Sequence, residues 1–227
     1  MGQISSSPAV PAYSKTPSTP VFLRVLMRPW LDRTIAIIAA FPLLYLSYLR
    51  YRRGGLGIPV ISFATGSLIT FLTMMLRRPA KRITPNPWFW LLAFVATYWP
   101  LLTISLMQQG HPIVPKLASD GVAIASLVVI VWARLSLGRN IGFVPAQRDI
   151  VTKGAYRYMR HPIYTGLFLG FLGVVLRAYS PRNVTVMGLG ILWYMIKSIV
   201  EEDFLRADPQ YAAYLRTVRA RWIPFLV

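Results

Sequence analysis

The sequence predicts an all-α integral membrane protein, and three observations support this fold class. First, 55% of the 227 residues are hydrophobic, which is more than the core of a soluble domain of this length requires. Second, the hydrophobic residues form long blocks, several of which approach or reach the roughly 20 residues needed to cross about 30 Å of hydrocarbon. Third, the basic residues that give the chain a formal charge of +18 lie between these blocks. We therefore expect a single membrane domain.

Six hydrophobic blocks predict about six helices. They cover residues 34–49, 56–76, 88–107, 117–137, 163–176 and 184–200. The fifth block is short, so it is expected to form a half-span or one arm of a tight hairpin with the sixth. Residues 177–183 are rich in polar and turn-forming side chains and supply the turn of that hairpin.

The segments outside the blocks have their own signals. Residues 1–20 are rich in Ser, Pro and Thr and predict a flexible tail. Residues 21–30 suit a short interfacial segment, with Trp30 at the headgroup level. Residues 201–219 predict an amphipathic helix on the cytoplasmic side, with a break near Asp208–Pro209. Tyr211 and Tyr214 are expected to dock that helix on the bundle, and Trp222 to return the chain to the membrane interface.

The basic residues predict an orientation. If all six blocks span, the loops that are richer in Lys and Arg lie on the side of both termini, and the positive-inside rule places that side in the cytoplasm. The cluster of Arg50, Arg52 and Arg53 opposes this assignment, because it lies on the predicted outer side. Topology and anionic lipid headgroups account for the net charge, so a nucleic acid is not an expected partner.

Several kinds of site are excluded by composition. The chain has no cysteine, so it has no disulfide and no thiolate nucleophile or ligand. Its two histidines, His111 and His161, lie in different segments, and a metal centre is therefore not expected. His111 lies in a loop beside a proline and is assigned no function.

Polar chemistry is concentrated at residues 154–166, Gly-Ala-Tyr-Arg-Tyr-Met-Arg-His-Pro-Ile-Tyr-Thr-Gly, at the start of the fifth block. Pro162 favours the first position of a helix, which leaves His161 just outside it. A helix N-terminus favours a carboxylate or another anion. Within the spans, Gly166 and Gly170 are expected to pack against another helix. Arg134 is costly in lipid, so it is expected to face the bundle or to extend toward the cytoplasm.

This stretch, followed by Glu201-Glu202, Tyr211, Tyr214 and Ile223-Pro224, resembles the isoprenylcysteine carboxyl methyltransferase family. The bacterial and archaeal members of that group and the related phospholipid methyltransferases are similar in the same way. The resemblance covers roughly residue 137 to the C-terminus. It divides the chain into N-terminal membrane helices at 21–136 and a methyltransferase catalytic region at 137–227.

The resemblance implies that S-adenosylmethionine binds on the cytoplasmic side. Carried over by position, the cofactor-binding residues are Arg148, Asp149, Ile150, Val151, Tyr156, His161, Pro162, Ile163, Tyr164 and Glu201. Lys197 stands where prenylcysteine enzymes have an arginine associated with the substrate, and it keeps the charge but lacks the planar fork. Glu202 is expected at a solvated helix start. The cofactor already carries its leaving group, so no catalytic side chain and no metal is required.

The expected function is methyl transfer to a lipophilic or lipidated acceptor that enters from the bilayer. A carboxylate of the isoprenylcysteine type is favoured, and a lipid amine or a small thiol stays open. Two other classes also stay open: an NADPH-dependent membrane reductase of the sterol reductase type and a non-catalytic membrane scaffold. The expected location is a bacterial inner membrane, with both termini and the cofactor site in the cytoplasm.

Overall fold

The structure is a computed structural model that describes residues 21–26, 28–142 and 144–224. The predicted tail at residues 1–20 lies outside the described residues. The helices are α1 (Val21–Leu26), α2 (Pro29–Gly54), α3 (Ile58–Met75), α4 (Pro87–Leu106), α5 (Lys116–Leu137), α6 (Pro162–Arg177), α7 (Pro181–Leu205) and α8 (Pro209–Thr217). Proline occupies the first or second position of all of these except α1 and α5. Its fixed φ suits that position, where its missing N–H costs no hydrogen bond.

The helices confirm the predicted all-α membrane fold. Four segments are long and apolar enough to cross a membrane: Pro29–Arg53, Ile58–Met75, Lys116–Asn140 and Pro181–Leu205. The helix α4 has 20 residues without a charged side chain, which also meets the length requirement. The helix α6 has only 16 residues, so the fifth hydrophobic helix is the short one, as predicted.

A tight hairpin joins α6 to α7, as the short fifth block predicted. Only residues 178–180 lie between the two helices, and the Ser180 hydroxyl accepts a hydrogen bond from the Asn183 N–H. The other flank of α6 packs closely on α5. A Cβ atom at Gly166 would clash with the Ile130 side chain, and one at Gly170 would lie 3.0 Å from the Ser126 Oγ. Both glycines are therefore helix-packing residues, as expected.

The two ends of the bundle differ in structure. At one end, which we call the loop end, lie the connections after α3 and after α5, and two short strands join them. The strands β1 (Arg82–Ile83) and β2 (Ala146–Gln147) pair in an antiparallel ladder. At the far end, a bridge between His111 and Tyr179 joins the α4–α5 and α6–α7 connections. The bridge gives His111 a structural role.

A buried charge cluster fixes the N-terminal helices to the loop end. Asp32 in the first turn of α2 is 2% exposed and accepts a hydrogen bond of 2.8 Å from the Arg77 Nε just after α3. A second guanidinium, that of Arg148, lies 3.7 Å from the same carboxylate. Because Arg148 follows β2, this cluster joins α2, α3 and the long α5–α6 connection.

The C-terminal segment differs in part from the prediction. Residues 201–205 continue α7, and the amphipathic helix α8 starts only after a break at residues 206–208. The Tyr214 hydroxyl donates a hydrogen bond of 2.7 Å to the Tyr156 carbonyl, so α8 docks on the bundle as predicted. The Trp222 indole N–H donates to the Ser198 hydroxyl at 3.2 Å, so the segment after α8 packs on α7. Its expected position at the membrane interface remains a prediction.

Candidate active site

A cavity of about 280 Å³ opens at the loop end and extends into the bundle. Its size is near the lower end for small-molecule sites, which range over about 300–1,000 Å³. Its wall includes residues from every spanning helix, among them Leu43 of α2, Thr70 of α3, Thr97 of α4, Ile130 of α5, Tyr164 of α6 and Lys197 of α7. At the loop end, the wall includes residues 141–142, 144–146 and 148–151 of the α5–α6 connection, together with Tyr211 and Tyr214 of α8.

The fold brings most of the predicted site residues to this one cavity. Of the predicted cofactor residues, Arg148, Asp149, Ile150, Val151, Tyr156, His161, Ile163, Tyr164 and Glu201 line it, and so does Lys197. Pro162 does not line it, because it is fully buried at the first position of α6. These residues come from the α5–α6 connection, from α6 and from α7, which are distant in sequence. Their binding roles remain predictions.

Glu201 is the carboxylate that α7 contributes to the cavity wall. Its Oε2 accepts a hydrogen bond of 2.7 Å from the Tyr164 hydroxyl, and its Oε1 lies 3.7 Å from the Lys197 ammonium. Its side chain is 18% exposed. The carboxylate is therefore held in place by two partners and still reaches the cavity, where it can accept hydrogen bonds from a ligand.

Lys197 is a buried cation one turn before Glu201. Its side chain is 4% exposed, and its ammonium lies 3.5 Å from the Thr97 hydroxyl and 5.6 Å from the centre of the Tyr164 ring. A buried ammonium needs such partners, because burial without them is costly. The arrangement joins α4, α6 and α7 behind the cavity.

Glu202 is not the solvated residue that the sequence indicated. It is 1% exposed and lies at the centre of a cationic cluster. The Arg221 guanidinium donates to both of its oxygens, at 3.1 and 2.9 Å. The His161 Nε2 lies 2.9 Å from its Oε1, and the Arg160 Nε lies 3.1 Å from the same oxygen as an ion pair. Two guanidinium groups and an imidazole from two other segments thus compensate for burying the carboxylate.

His161 both lines the cavity and contacts Glu202. It precedes α6 directly, as expected, but its Nε2 contacts Glu202, and its ring stacks on Tyr164 with centroids 5.2 Å apart. The N–H groups of Tyr164 and Thr165 donate to the His161 carbonyl. The first turn of α6 and one of the two ring nitrogens are thus already used within the protein. Among the two neighbouring arginines, Arg160 belongs to the cluster, whereas Arg157 is exposed.

The loop residues Arg148 and Asp149 lie in opposite environments. Burial, together with the charge of Arg77, lowers the pKa of Arg148 to about 10, and its Nε donates to the Arg78 carbonyl at 2.9 Å. Asp149 is partly exposed and pairs with Lys81 and Arg78. Hydrogen bonds from these two cations hold the pKa of Asp149 below its ordinary value. Arg148 is thus part of the buried scaffold, and Asp149 lies at the rim.

Aromatic side chains make up much of the wall near Glu201. Tyr156, Tyr164, Tyr194, Tyr211 and Tyr214 all line the cavity. Burial raises the pKa of Tyr156 and of Tyr211, so both phenols stay neutral at physiological pH. The rings offer apolar faces together with hydroxyl groups, which suits a ligand with both kinds of surface.

Sequence reasoning assigned no site role to Arg134, although a charge inside a span is a signal for one. The structure places this side chain toward the bundle, on the cavity wall. Its Nε and Nη1 atoms are enclosed and have no hydrogen-bond partner among the described residues. Tyr194 was also missed, although Tyr194, Lys197 and Glu201 have the spacing of one helix face.

Among the described residues, no group of three or more His, Cys, Asp or Glu side chains is placed to hold a metal ion.

The fold and the cavity together define a class: a helical membrane protein with a polar site at one end of an otherwise apolar bundle. The model of the phospholipid methyltransferase family matches residues 117–211, which run from α5 into α8. Over these residues, the match confirms the resemblance to the membrane methyltransferases that the sequence indicated. No curated protein matches the chain.

Proposed function

We propose that the protein transfers a methyl group from S-adenosylmethionine to a lipophilic acceptor, and that the acceptor group is a carboxylate of the isoprenylcysteine type. The observation that carries the proposal is the cavity itself. It joins the Glu201 carboxylate and the loop-end residues to an apolar interior that contains the unpaired guanidinium of Arg134. Such a cavity suits a polar cofactor at one end and a lipophilic molecule with an anionic group at the other.

The residues at the loop end fit the cofactor. Glu201 offers acceptor atoms for ribose hydroxyls or for an amino group, and Tyr156 and Tyr164 offer rings for the adenosine. Once bound, the cofactor would supply an electrophilic methyl group on a sulfonium leaving group. The protein would then need only to hold the two reactants in line and to exclude water. This requirement explains why the wall needs no nucleophilic side chain.

The charges in the cavity favour an anionic acceptor. Within the bundle, the helices α5 and α7 bring two cations to the wall, Arg134 and Lys197. Glu201 is already paired with Lys197 and bonded to Tyr164. A carboxylate is ionised at neutral pH and needs no base. Arg134, on α5, also supplies the planar fork that Lys197 lacks. Lys197 and Arg134 together thus offer the charge and the planar donor group that a single arginine offers in the prenylcysteine enzymes.

A lipid amine is the second candidate, and the name of the matched family favours it. An ammonium would have to lose a proton before accepting a methyl group, and two cations at the wall oppose its binding. A small thiol would also have to lose a proton. The methyltransferase family match opposes the reductase hypothesis, and the scaffold hypothesis predicts no turnover.

The cofactor is tested by calorimetric binding of S-adenosylhomocysteine to the purified protein. We expect micromolar binding by the wild type and a loss of about 1–3 kcal/mol in Glu201→Gln, as for a lost bond to a charged group. Asp203→Asn is the matched control, because Asp203 is an exposed acid on the same helix. Binding of NADPH by folded wild type without binding of the homocysteine analogue would favour the reductase class instead.

The acceptor is tested with methyl-labelled cofactor and three acceptors: N-acetyl-S-farnesylcysteine, phosphatidylethanolamine and a small alkyl thiol. A carboxyl methyl ester releases labelled methanol in alkali, whereas an N-methyl or S-methyl product keeps its label. Label that alkali releases from the farnesylcysteine product supports the proposal. Stable label in phosphatidylethanolamine alone would assign the amine.

We also propose that the loop end faces the cytoplasm of a bacterial inner membrane. The larger share of Lys and Arg at that end supports this orientation. Reporter fusions at the C-terminus test it: green fluorescent protein should fluoresce there, and alkaline phosphatase should be inactive. Activity of the phosphatase would reverse the orientation.

A further inference from the structure

The cavity has a long wall on α3 that the cofactor site does not explain. Six residues of this helix line it: Ser62, Phe63, Gly66, Ser67, Thr70 and Met74. They recur at intervals of one turn and so form a single helix face. The opposite face of α3 carries Leu68 and Leu72, which are 49% and 48% exposed. The cavity face is therefore turned to the interior of the bundle.

This wall is long enough to hold an extended chain. From Ser62 to Met74 the helix rises by roughly 18 Å at about 1.5 Å per residue, which is over half of the hydrocarbon thickness. Leu43, Pro100, Ile130 and Leu167 line the cavity from other helices and offer apolar contacts. The Thr70 hydroxyl donates to the Gly66 carbonyl at 2.7 Å, so its proton is used within α3.

The deep end of the wall is built around Phe63. The Arg50 guanidinium lies over this ring, 4.7 Å from its centre, and its Nη2 donates to the Thr103 hydroxyl at 3.2 Å. These contacts fix Phe63 between α2, α3 and α4. The wall thus runs from Phe63, deep in the bundle, to Met74, close to the loop end.

Gly66 lies in the middle of this face, one turn from both Ser62 and Thr70. A Cβ atom there would meet no heavy atom within 4 Å. This distinguishes it from Gly166 and Gly190, where a Cβ atom would collide with a neighbouring helix. Glycine inside a helix costs about 1 kcal/mol relative to alanine, and helix packing does not require it at residue 66. What its missing side chain provides is open space in the wall.

We propose that the α3 wall holds the apolar chain of the acceptor and that Gly66 sets the longest chain that fits. The ligand is a single linear prenyl or acyl chain whose polar group lies near Arg134 and Lys197. This inference rests on the proposed function, since it describes how the same cavity selects its acceptor. A larger side chain at residue 66 fills the path between the polar end and Phe63, and it excludes long chains before short ones.

The test compares acceptors that share a headgroup and differ in length: the geranyl, farnesyl and geranylgeranyl derivatives of N-acetylcysteine. The variants are Gly66→Ala and Gly66→Leu. Gly188→Leu is the matched control, because Gly188 lies on the exposed face of α7 and a Cβ atom there also meets nothing within 4 Å. The readouts are kcat/KM for methyl transfer and the thermal shift that each derivative produces.

In Gly66→Leu we expect the kcat/KM ratio of the longest to the shortest acceptor to fall at least about tenfold, as pocket contacts of this size produce. Gly66→Ala should lie between wild type and Gly66→Leu, and Gly188→Leu should keep the wild-type ratio. An unchanged ratio in both Gly66 variants overturns the inference. The graded alanine variant keeps the test valid if leucine prevents folding.

The thermal shift separates this inference from the proposed function. If no derivative is methylated but the stabilisation by long chains is lost in the Gly66 variants, the chain site stands and the acceptor chemistry is wrong. If the derivatives are methylated and neither readout depends on residue 66, the proposed function stands and the chain site is wrong. Equal stabilisation of every variant by all chain lengths would assign the binding to the outer surface and overturn the inference.

Discussion

The carboxylates of Glu201 and Glu202 are adjacent in α7 but lie in different environments. Glu201 borders the cavity beside Lys197 and Tyr164. Glu202 is enclosed by Arg160, His161 and Arg221 and has almost no exposed surface. A rotation of about 100° between successive helical residues thus separates a carboxylate that a ligand can reach from one that fixes the fold.

Glu202→Gln should destabilise the protein. The substitution keeps the shape of the side chain but leaves the two guanidinium groups of Arg160 and Arg221 around a neutral group, and breaking a buried ion pair in this way costs about 3–5 kcal/mol. The measurement is the thermal midpoint of the detergent-purified protein, with the exposed neighbour variant Asp203→Asn as control. Equal midpoints for Glu202→Gln and the control would show that the cluster contributes nothing to stability.

Asp32→Asn should loosen the contact between the N-terminal helices and the loop end. Asp32 pairs with both Arg77 and Arg148, and its loss leaves two buried guanidinium groups without a carboxylate, at a cost of about 3 kcal/mol. Hydrogen exchange should show faster exchange at residues 144–150 than in the wild type. Arg33→Gln, an exposed change in the next residue, should leave that rate unaltered. A wild-type exchange rate at residues 144–150 in Asp32→Asn would contradict the link between Asp32 and the loop end.

Alanine should have opposite effects at two glycines. At Gly166 the added methyl group would press on Ile130 in α5, and overpacking of this kind costs about 1–3 kcal/mol. At Gly188 it would meet no atom within 4 Å, and the gain in helix propensity is up to about 1 kcal/mol. Thermal midpoints that move in the same direction would refute close packing of α6 on α5.

Arg134→Gln should weaken binding of the acceptor and leave binding of the cofactor unchanged. Loss of a hydrogen bond to a charged group costs about 1.5–3 kcal/mol, so the KM of a carboxylate acceptor should rise by about ten- to a hundredfold. Binding of S-adenosylhomocysteine and the thermal midpoint should stay at wild-type values, because no protein group loses a partner. Arg157→Gln, which alters an exposed arginine, is the control. A loss of affinity for S-adenosylhomocysteine would instead place Arg134 in the cofactor-binding site.

The helices were predictable from the sequence because their length is set by the bilayer. Each of the six blocks became a helix, and the turn chemistry at residues 177–183 correctly indicated the hairpin. The boundary of the last span was wrong, since residues 201–205 continue α7. The same amphipathic pattern fits both the end of a span and the start of a surface helix, so periodicity alone did not separate them.

The site was predictable only where a local motif identifies it. The predicted residues 148–151, Tyr156, His161, Ile163, Tyr164 and Glu201 line the cavity. The burial of Glu202, in contrast, depends on His161, 41 residues away, and on Arg221. Such long-range pairs have no local signature. The α3 wall was missed for a different reason: its small polar residues Ser62, Ser67 and Thr70 are common in membrane helices as helix-packing residues, so their pattern did not identify a cavity.

The family match begins at residue 117, yet Leu43, Phe63, Gly66 and Thr97 complete the cavity from the preceding helices. Under the proposed function, Arg134 and Lys197, which would contact the acceptor's polar group, lie inside the matched region, whereas the α3 wall, which would contact its chain, lies outside it. We therefore expect substitutions in the preceding helices to change which acceptor chain fits while leaving the methyl-transfer reaction intact. Grafting residues 29–106 from a relative with another acceptor is accordingly a direct route to enzymes with new specificity.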